Sequence, residues 1–144
     1  MLRVVVDANV FISAVINPRG APGRLVDSAR SGQYVLVVSP LLLAEVEEVL
    51  GRDRVRRRLP PGAAERFLTE LRALAELAPD ARHPLPPVTR DPDDDYLVAL
   101  AREAAVDCLV TGDADLTSLV ELSPPVWSPA AFLARLDAGP RESG

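Results

Sequence analysis

LRVVV, residues 2–6, is an apolar run rich in β-branched side chains, and it ends directly on an acid, Asp7. Two further runs of this kind follow, YVLVV at 34–38 and DCLVT at 107–111, and PVW at 125–127 is a candidate edge strand. Apolar runs without polar alternation are typical of parallel strands that are covered on both faces. We therefore predict a central parallel sheet of about four to five strands.

Stretches with helical spacing of apolar residues lie between these strands. A serine or aspartate followed by proline, as in Ser39-Pro40 and Asp91-Pro92, supplies a helix N-cap and a first-turn residue. The predicted helices cover about 21–30, 40–50, 62–76 and 92–104, with a short basic helix before 62 and a last helix after Pro129. The proline-rich stretch 79–92 is predicted to be an ordered loop. Strands that alternate with helices predict a three-layer α/β/α sandwich.

The chain of 144 residues is long enough for one domain with its own core. We assign residues 1–137 to a single domain and 138–144 to a disordered tail. No apolar run approaches the ~20 residues that a membrane span needs, and the N-terminus lacks the pattern of a secretory signal. The single cysteine, Cys108, excludes an intrachain disulfide. These features predict a cytoplasmic protein with no membrane partner.

Charged residues narrow the classes of function. All 16 basic residues are arginine, so the sequence excludes every mechanism that requires a lysine, including that of phosphoacceptor modules with a lysine at the site. The net charge of −5 disfavours a broad nucleic-acid surface, because phosphate contacts favour basic surfaces. It is compatible with a metal nuclease, in which bound cations neutralise part of the local charge.

Acidic residues stand at points where a strand ends or a helix begins. They are Asp7, Glu45 in SPLLLAEVEE, the run Asp93–Asp95, and Asp113 and Asp115 in VTGDADL. Open α/β sheets bind ligands outside the carboxyl ends of their strands, so these acids are expected to converge. Closely packed carboxylates repel each other unless a cation lies among them, and Mg²⁺ prefers oxygen ligands. The sequence therefore predicts a metal-dependent enzyme.

Each acid also has a purely structural interpretation. Asp7 could cap the helix that follows it, although Asn9 could cap that helix equally well and leave Asp7 free. Glu45 could be a partly exposed helix acid, and Asp113 could cap a short helix. Glu45 lies at the edge of a predicted apolar arc that comprises Leu41, Leu42, Leu43, Val46, Val49 and Leu50. In the run of three acids, a helical wheel places Asp94 nearest the apolar face.

Together the acidic blocks resemble the PIN-domain ribonucleases, especially the toxin subunits of VapBC-like toxin–antitoxin pairs. The matching pieces, in the family's order, are VVVDANVFISA at 4–14, SPLLLAE at 39–45, DYLVALA at 95–101 and VTGDADL at 110–116. The resemblance implies a PIN-like fold and a metal-dependent endoribonuclease that hydrolyses RNA phosphodiester bonds. It also implies a cognate antitoxin protein as partner and a homodimer, for which the helical segments 40–50 and 62–76 could offer apolar surface.

Carried over residue by residue, the resemblance makes four acids both the catalytic residues and the ligands of Mg²⁺ or Mn²⁺. These acids are Asp7, Glu45, Asp95 and Asp113, with Asp115 as an additional metal ligand. Asp95 is chosen because the family's third acid precedes an apolar, alanine-containing run with the spacing found here, and Asp94 remains the alternative. Asn9 and Thr111 match polar positions that support the acids.

The arginine-rich run RDRVRRR at 52–58 is either a solvated helix face or a phosphate-contacting surface. In the second interpretation Arg52, Arg56 and Arg57 bind the RNA substrate. Two other functions remain open: a non-catalytic PIN-like binding or assembly module, and a DNA-directed nuclease of the same superfamily. The first would bind no Mn²⁺, and the second would cleave DNA.

Overall fold

The computed structural model describes residues 1–81, 92–113 and 124–138, and for residues 92–95 it describes the backbone only. Most of the predicted loop at 79–92 therefore lies outside the described residues, as do Asp115 and the predicted tail beyond Ala138. The side chains of Asp93–Asp95 also lie outside them. Within the described part, no helix is long and apolar enough to cross a membrane.

Five strands in this part of the chain form one parallel sheet with the order β3-β2-β1-β4-β5. They are β1 (Arg3–Val6), β2 (Val35–Val38), β3 (Glu76–Leu77), β4 (Cys108–Val110) and β5 (Val126–Trp127). β1 lies at the centre, where Val4 pairs with Leu36 of β2 and with Cys108 of β4. The predicted parallel sheet is confirmed. All of its strands end at the same side, which we call the carboxyl edge.

The helices lie on both faces of this sheet. Those in the described residues are α1 (Ala8–Ile16), α2 (Ala21–Arg30), α3 (Pro40–Leu50), α4 (Asp53–Arg56), α5 (Ala63–Leu74), α6 (Pro92–Glu103) and α7 (Pro129–Ala138). Helix α1 packs against α2, α3 and α5, whereas α6 packs against β1 and β4. The chain moves from β1 outward to β3 and then crosses back to β4, so right-handed crossovers place α6 on the opposite face. The predicted three-layer sandwich is confirmed.

The segment that follows α5 differs from the prediction of one helix over 62–76. Helix α5 ends at Leu74, and the next residues form β3, which pairs with the end of β2. An ion pair between Arg3 and Glu76 ties this edge strand to β1. Both residues of β3 are exposed, so no pattern of buried residues marks the strand in the sequence.

Helix α3 buries only part of its predicted apolar arc. Leu42, Val46 and Leu50 are fully buried, whereas Leu41 is 54% exposed, contrary to the prediction. Leu41 lies in the first turn and is rotated roughly 100° from Leu42 around the helix axis, which turns it away from the core. Glu45 is half-buried at the edge of the arc, where the sequence placed it.

Candidate functional site

Asp7 lies at the carboxyl edge, directly after the central strand β1, and is only 5% exposed. Helix α1 begins at Ala8, and the Oδ1 atom of Asp7 accepts a hydrogen bond from the amide of Asn9 at 3.1 Å. Asp7 is therefore the N-cap of α1, and the expectation that Asn9 could take this role and leave Asp7 free is corrected. The cap uses one oxygen of the Asp7 carboxylate. This oxygen accepts a hydrogen bond from one of the first amide groups of the helix, which have no partner within the helix itself.

The other oxygen of Asp7 is held by a residue from β4. Thr111 follows β4 and is fully buried, and its hydroxyl donates a hydrogen bond to Asp7 Oδ2 at 2.7 Å. The same hydroxyl accepts a hydrogen bond from the Asp113 amide at 3.1 Å. Thr111 thus links the acids that follow two neighbouring strands. Thr111 contacts Asp7 and the backbone of Asp113, and its predicted supporting role stays a prediction.

Asp7 and Asp113 line a groove of about 410 Å³. Its walls come from the starts of three helices and from the turn after β4, and the lining residues are Asp7, Asn9, Val10, Ser13, Pro22, Gly112, Asp113 and Pro129. Asn9 and Ser13 are exposed and lie one helical turn apart on α1. The groove therefore combines two acids with an amide and a hydroxyl, and all of these groups can contact a polar ligand.

Glu45, in α3, is engaged by a tyrosine that the sequence did not single out. The phenol of Tyr96, in α6, donates a hydrogen bond to Glu45 Oε1. Burial raises the pKa of Tyr96, and the hydrogen bond and charge of Glu45 raise it further. The phenol is therefore protonated at neutral pH. The charge of Asp7 also raises the pKa of Tyr96, so the carboxylates of Glu45 and Asp7 both influence the same phenol.

A further acid, Asp80, lies just beyond β3 and was not predicted as a site residue. It is half-buried, and its Oδ2 atom accepts a hydrogen bond from the amide of Leu41 at 3.0 Å. Its charge also raises the pKa of Tyr96. The sequence prediction merged β3 with the preceding helix, which hid the fact that Asp80 follows a strand end as Asp7 and Asp113 do.

The remaining predicted ligands are not described by the structure. The side chains of Asp94 and Asp95 and the whole of Asp115 lie outside the described residues. Among the side chains that the structure describes, no three acidic, histidine or cysteine groups are clustered closely enough to hold a metal ion. The position of the third acid therefore stays a prediction.

The donor set at the carboxyl edge fits a hard divalent cation. Asp7 and Glu45 accept hydrogen bonds from neutral hydroxyl and amide groups, and neither forms an ion pair with a described residue. A buried carboxylate without a cationic partner is costly, and a metal ion would compensate its charge. Because the available atoms are oxygens, Mg²⁺ and Mn²⁺ suit this set better than soft metals do.

The three predicted RNA-binding arginines lie away from these acids. Arg52 follows the end of α3, seven positions beyond Glu45. Arg52 forms an ion pair with Glu48 at 2.9 Å, and Arg56 forms one with Glu65 at 2.7 Å. The guanidinium of Arg57 donates to the carbonyl of Asp53 at 3.4 Å. The structure does not bring these arginines to the groove, and their contact with RNA stays a prediction.

Comparisons with known proteins agree with this fold. Residues 3–115 match the family model of the PIN domain. The uncharacterized protein MJ1680 of Methanocaldococcus jannaschii is 35% identical over 122 residues, which cover 82% of this chain and 75% of that protein. A family match that spans most of the chain, together with a relative at this level of identity, establishes family membership.

Solved structures with low sequence identity share the fold. The crystal structure of PAE2754 from Pyrobaculum aerophilum has a TM-score of 0.59 at 18% identity and covers 95% of this chain and 90% of its own. The structure of VapBC2 from Rickettsia felis, bound to a DNA fragment from their promoter, has a TM-score of 0.56 at 12% identity and covers 88% and 97%. The chain therefore belongs to the PIN domain family, whose members are generally nucleases.

Proposed function

We propose that this protein is a metal-dependent endoribonuclease and the toxin of a toxin–antitoxin pair. The observation that carries the proposal is the link between Asp7, Thr111 and Asp113 in a groove at the carboxyl edge. It joins the acids of two neighbouring strands through one buried hydroxyl. The groove lies where open α/β sheets bind their ligands, and the family to which the chain belongs consists generally of nucleases.

The proposed ligands of Mg²⁺ or Mn²⁺ are carboxylates from separate elements. They are Asp7, Glu45, Asp113, one acid of the pair Asp94 and Asp95, and Asp115. A bound cation would supply Lewis acidity toward the scissile phosphate and the attacking water. Thr111 holds one oxygen of Asp7 in a fixed position, which leaves other lone pairs of the carboxylate available. The chain thus preorganises its acids before the cation binds.

Described residues of α6 bear on the choice of the third acid. Leu97, Val98 and Ala101 are at most 2% exposed and face the sheet. They follow position 94 by three, four and seven residues, so position 94 shares their helical phase. Position 95 is followed after three and four residues by Val98 and Ala99, which are also buried, and after seven residues by the exposed Arg102. Helical phase therefore does not separate Asp94 from Asp95 decisively, and the spacing of the family motif favours Asp95.

RNA is the proposed substrate because the groove offers groups suited to a single strand. Asn9 and Ser13 can donate to phosphate oxygens or accept from a ribose 2′-hydroxyl. The net charge of −5 argues against a long duplex footprint, since that needs many cationic contacts. Arg52, Arg56 and Arg57 are proposed as peripheral phosphate contacts that would exchange their present partners for RNA.

A cognate antitoxin and a homodimer complete the proposal. The likeness in fold to VapBC2 of Rickettsia felis supports a toxin role. Leu41 and Leu77 are 54% and 64% exposed, and both lie near the ends of β2 and β3. Exposed large apolar side chains that lie near each other are typical of protein interfaces. Leu41 lies in the segment 40–50 and Leu77 directly follows the segment 62–76, the two segments that the sequence suggested for dimer formation.

We test the activity with matched RNA and DNA substrates in Mg²⁺ or EDTA. We expect Mg²⁺-dependent endonucleolytic cleavage of RNA, intact double-stranded DNA, and at least a hundredfold lower rate for Asp7→Asn, because removing a single electrostatic stabiliser commonly costs roughly that much. Asparagine still caps a helix, so the variant should fold. Asp27→Asn, an exposed acid on α2, is the control.

The same assay separates the alternative functions. Cleavage of DNA alone would identify a DNA-directed nuclease. A protein that binds no Mn²⁺ and cleaves neither substrate would be a non-catalytic module. RNA cleavage that persists in EDTA and in Asp7→Asn would exclude this site as its origin.

A further inference from the structure

Tyr96 connects the two helical layers at the carboxyl edge. It lies early in α6, on one face of the sheet, and its hydroxyl donates a hydrogen bond to Glu45 of α3 on the other face. The two residues are 51 positions apart in the chain. Both side chains are half-buried, so the bond is partly protected from competition with water. The hydrogen bond therefore holds the side chain of Glu45 to α6, which lies in the other helical layer.

This contact repeats the arrangement found at Asp7. There a hydroxyl from Thr111 occupies one carboxylate oxygen, Oδ2. At Glu45 a hydroxyl from Tyr96 occupies one carboxylate oxygen, Oε1. In both cases a neutral donor orients the carboxylate without neutralising its charge. The second oxygen of Glu45 makes no hydrogen bond with a described side chain, which leaves it available to a cation.

We propose that Tyr96 is a positioning residue that presents Glu45 Oε2 to the divalent cation. The inference rests on the proposed function, since it takes Glu45 as a metal ligand. Tyr96 itself touches neither the cation nor the substrate. Its hydrogen bond restricts the rotation of the Glu45 carboxylate, so less conformational freedom is lost when the cation binds. Partners of this kind typically change metal affinity by roughly 10–100-fold when they are removed.

The chain offers a matched control for this contact. Tyr34, the other tyrosine, also donates a buried hydrogen bond, in its case to the carbonyl of Leu25 at 2.7 Å. Its ring packs edge-on against Phe132, and no acid of the candidate site contacts its hydroxyl among the described residues. Tyr34→Phe and Tyr96→Phe each remove one phenolic oxygen. Both variants can lower the melting temperature, but only Tyr96→Phe should weaken metal binding.

Mn²⁺ binding is measured directly, through the electron paramagnetic resonance signal of the free ion, in full-length protein. The proteins are the wild type, Tyr96→Phe, Tyr34→Phe, Glu45→Gln and the double variant Glu45→Gln/Tyr96→Phe. We expect Tyr96→Phe to raise the Mn²⁺ dissociation constant about tenfold or more and Tyr34→Phe to leave it unchanged. In the Glu45→Gln background, Tyr96→Phe should have no further effect, because the tyrosine acts through Glu45.

Several results would overturn the inference. Unchanged affinity in Tyr96→Phe would show that the hydrogen bond does not position a ligand. Tighter binding would show that the hydroxyl competes with the cation, and an undiminished effect in the Glu45→Gln background would show that Tyr96 acts through another group. RNA cleavage is assayed in parallel. A wild type that binds Mn²⁺ with this dependence on Tyr96 but cuts no RNA would refute the proposed ribonuclease function and leave the positioning role intact.

Discussion

Thr111 links two of the described acids of the candidate site, Asp7 and Asp113. Its hydroxyl donates to Asp7 and accepts from the amide of Asp113. Thr111→Val preserves the shape of the side chain but removes both hydrogen bonds in a fully buried setting. We expect the free energy of unfolding to fall by about 1–3 kcal/mol, because buried polar groups that lose their partner cost about that much. Urea denaturation measures the change.

Thr111→Ser is the control for this prediction. Serine keeps the hydroxyl and both hydrogen bonds, and it loses only a methyl group. It should therefore be more stable than Thr111→Val and should keep the Mn²⁺ affinity of the wild type more closely. Equal stability and equal affinity in the two variants would show that the hydroxyl contributes no more than the methyl group at this position.

The acid of the Asp93–Asp95 run that serves the site stays a prediction. The spacing of the family motif selects Asp95, because the run of apolar residues and alanines follows it. We therefore expect Asp95→Asn to lose cleavage at least a hundredfold and Asp93→Asn to retain most of it. Rates at saturating Mg²⁺ compare the two variants. An inactive Asp94→Asn beside an active Asp95→Asn would mean that the assignment is wrong by one residue.

Whether an element could be predicted depended on how many residues carried its pattern. The strands that begin near Arg3, Val35 and Cys108 were predicted because each is a continuous apolar run in a sheet covered on both faces. Helix α3 was predicted with its observed bounds, since Ser39 caps it and Pro40 starts it. β3 was missed because two exposed residues carry no periodic signal.

At the scale of the whole molecule, exposed apolar side chains predict self-association. We expect a homodimer whose interface includes Leu41 and Leu77, since both are large, apolar and exposed. Leu41→Asp combined with Leu77→Asp should reduce the mass measured by light scattering at micromolar concentration to that of one chain. Leu2→Asp is the matched control. Leu2 is 38% exposed, but it precedes β1 and therefore lies at the edge of the sheet opposite to that of Leu41 and Leu77. A wild type that is already monomeric would contradict the prediction.

The candidate site was only partly predictable for a related reason. Asp7, Glu45 and Asp113 follow strands or lie on a helix margin, so local sequence and the family resemblance were enough to select them. The contact between Tyr96 and Glu45 joins residues 51 positions apart. The residues around Tyr96 and those around Glu45 form no sequence pattern that predicts this contact. Asp80 was overlooked because its strand was not predicted. Long-range packing, not local pattern, determines these partners.

The central place of β1 also determines when the site can exist during protein synthesis. Asp7 is synthesised 104 positions before Thr111, which holds its Oδ2 atom. A growing chain in which β4 and the residues after it have not yet been synthesised lacks both the Thr111 hydroxyl and Asp113. The linked pair of acids can therefore form only after translation has passed Asp113.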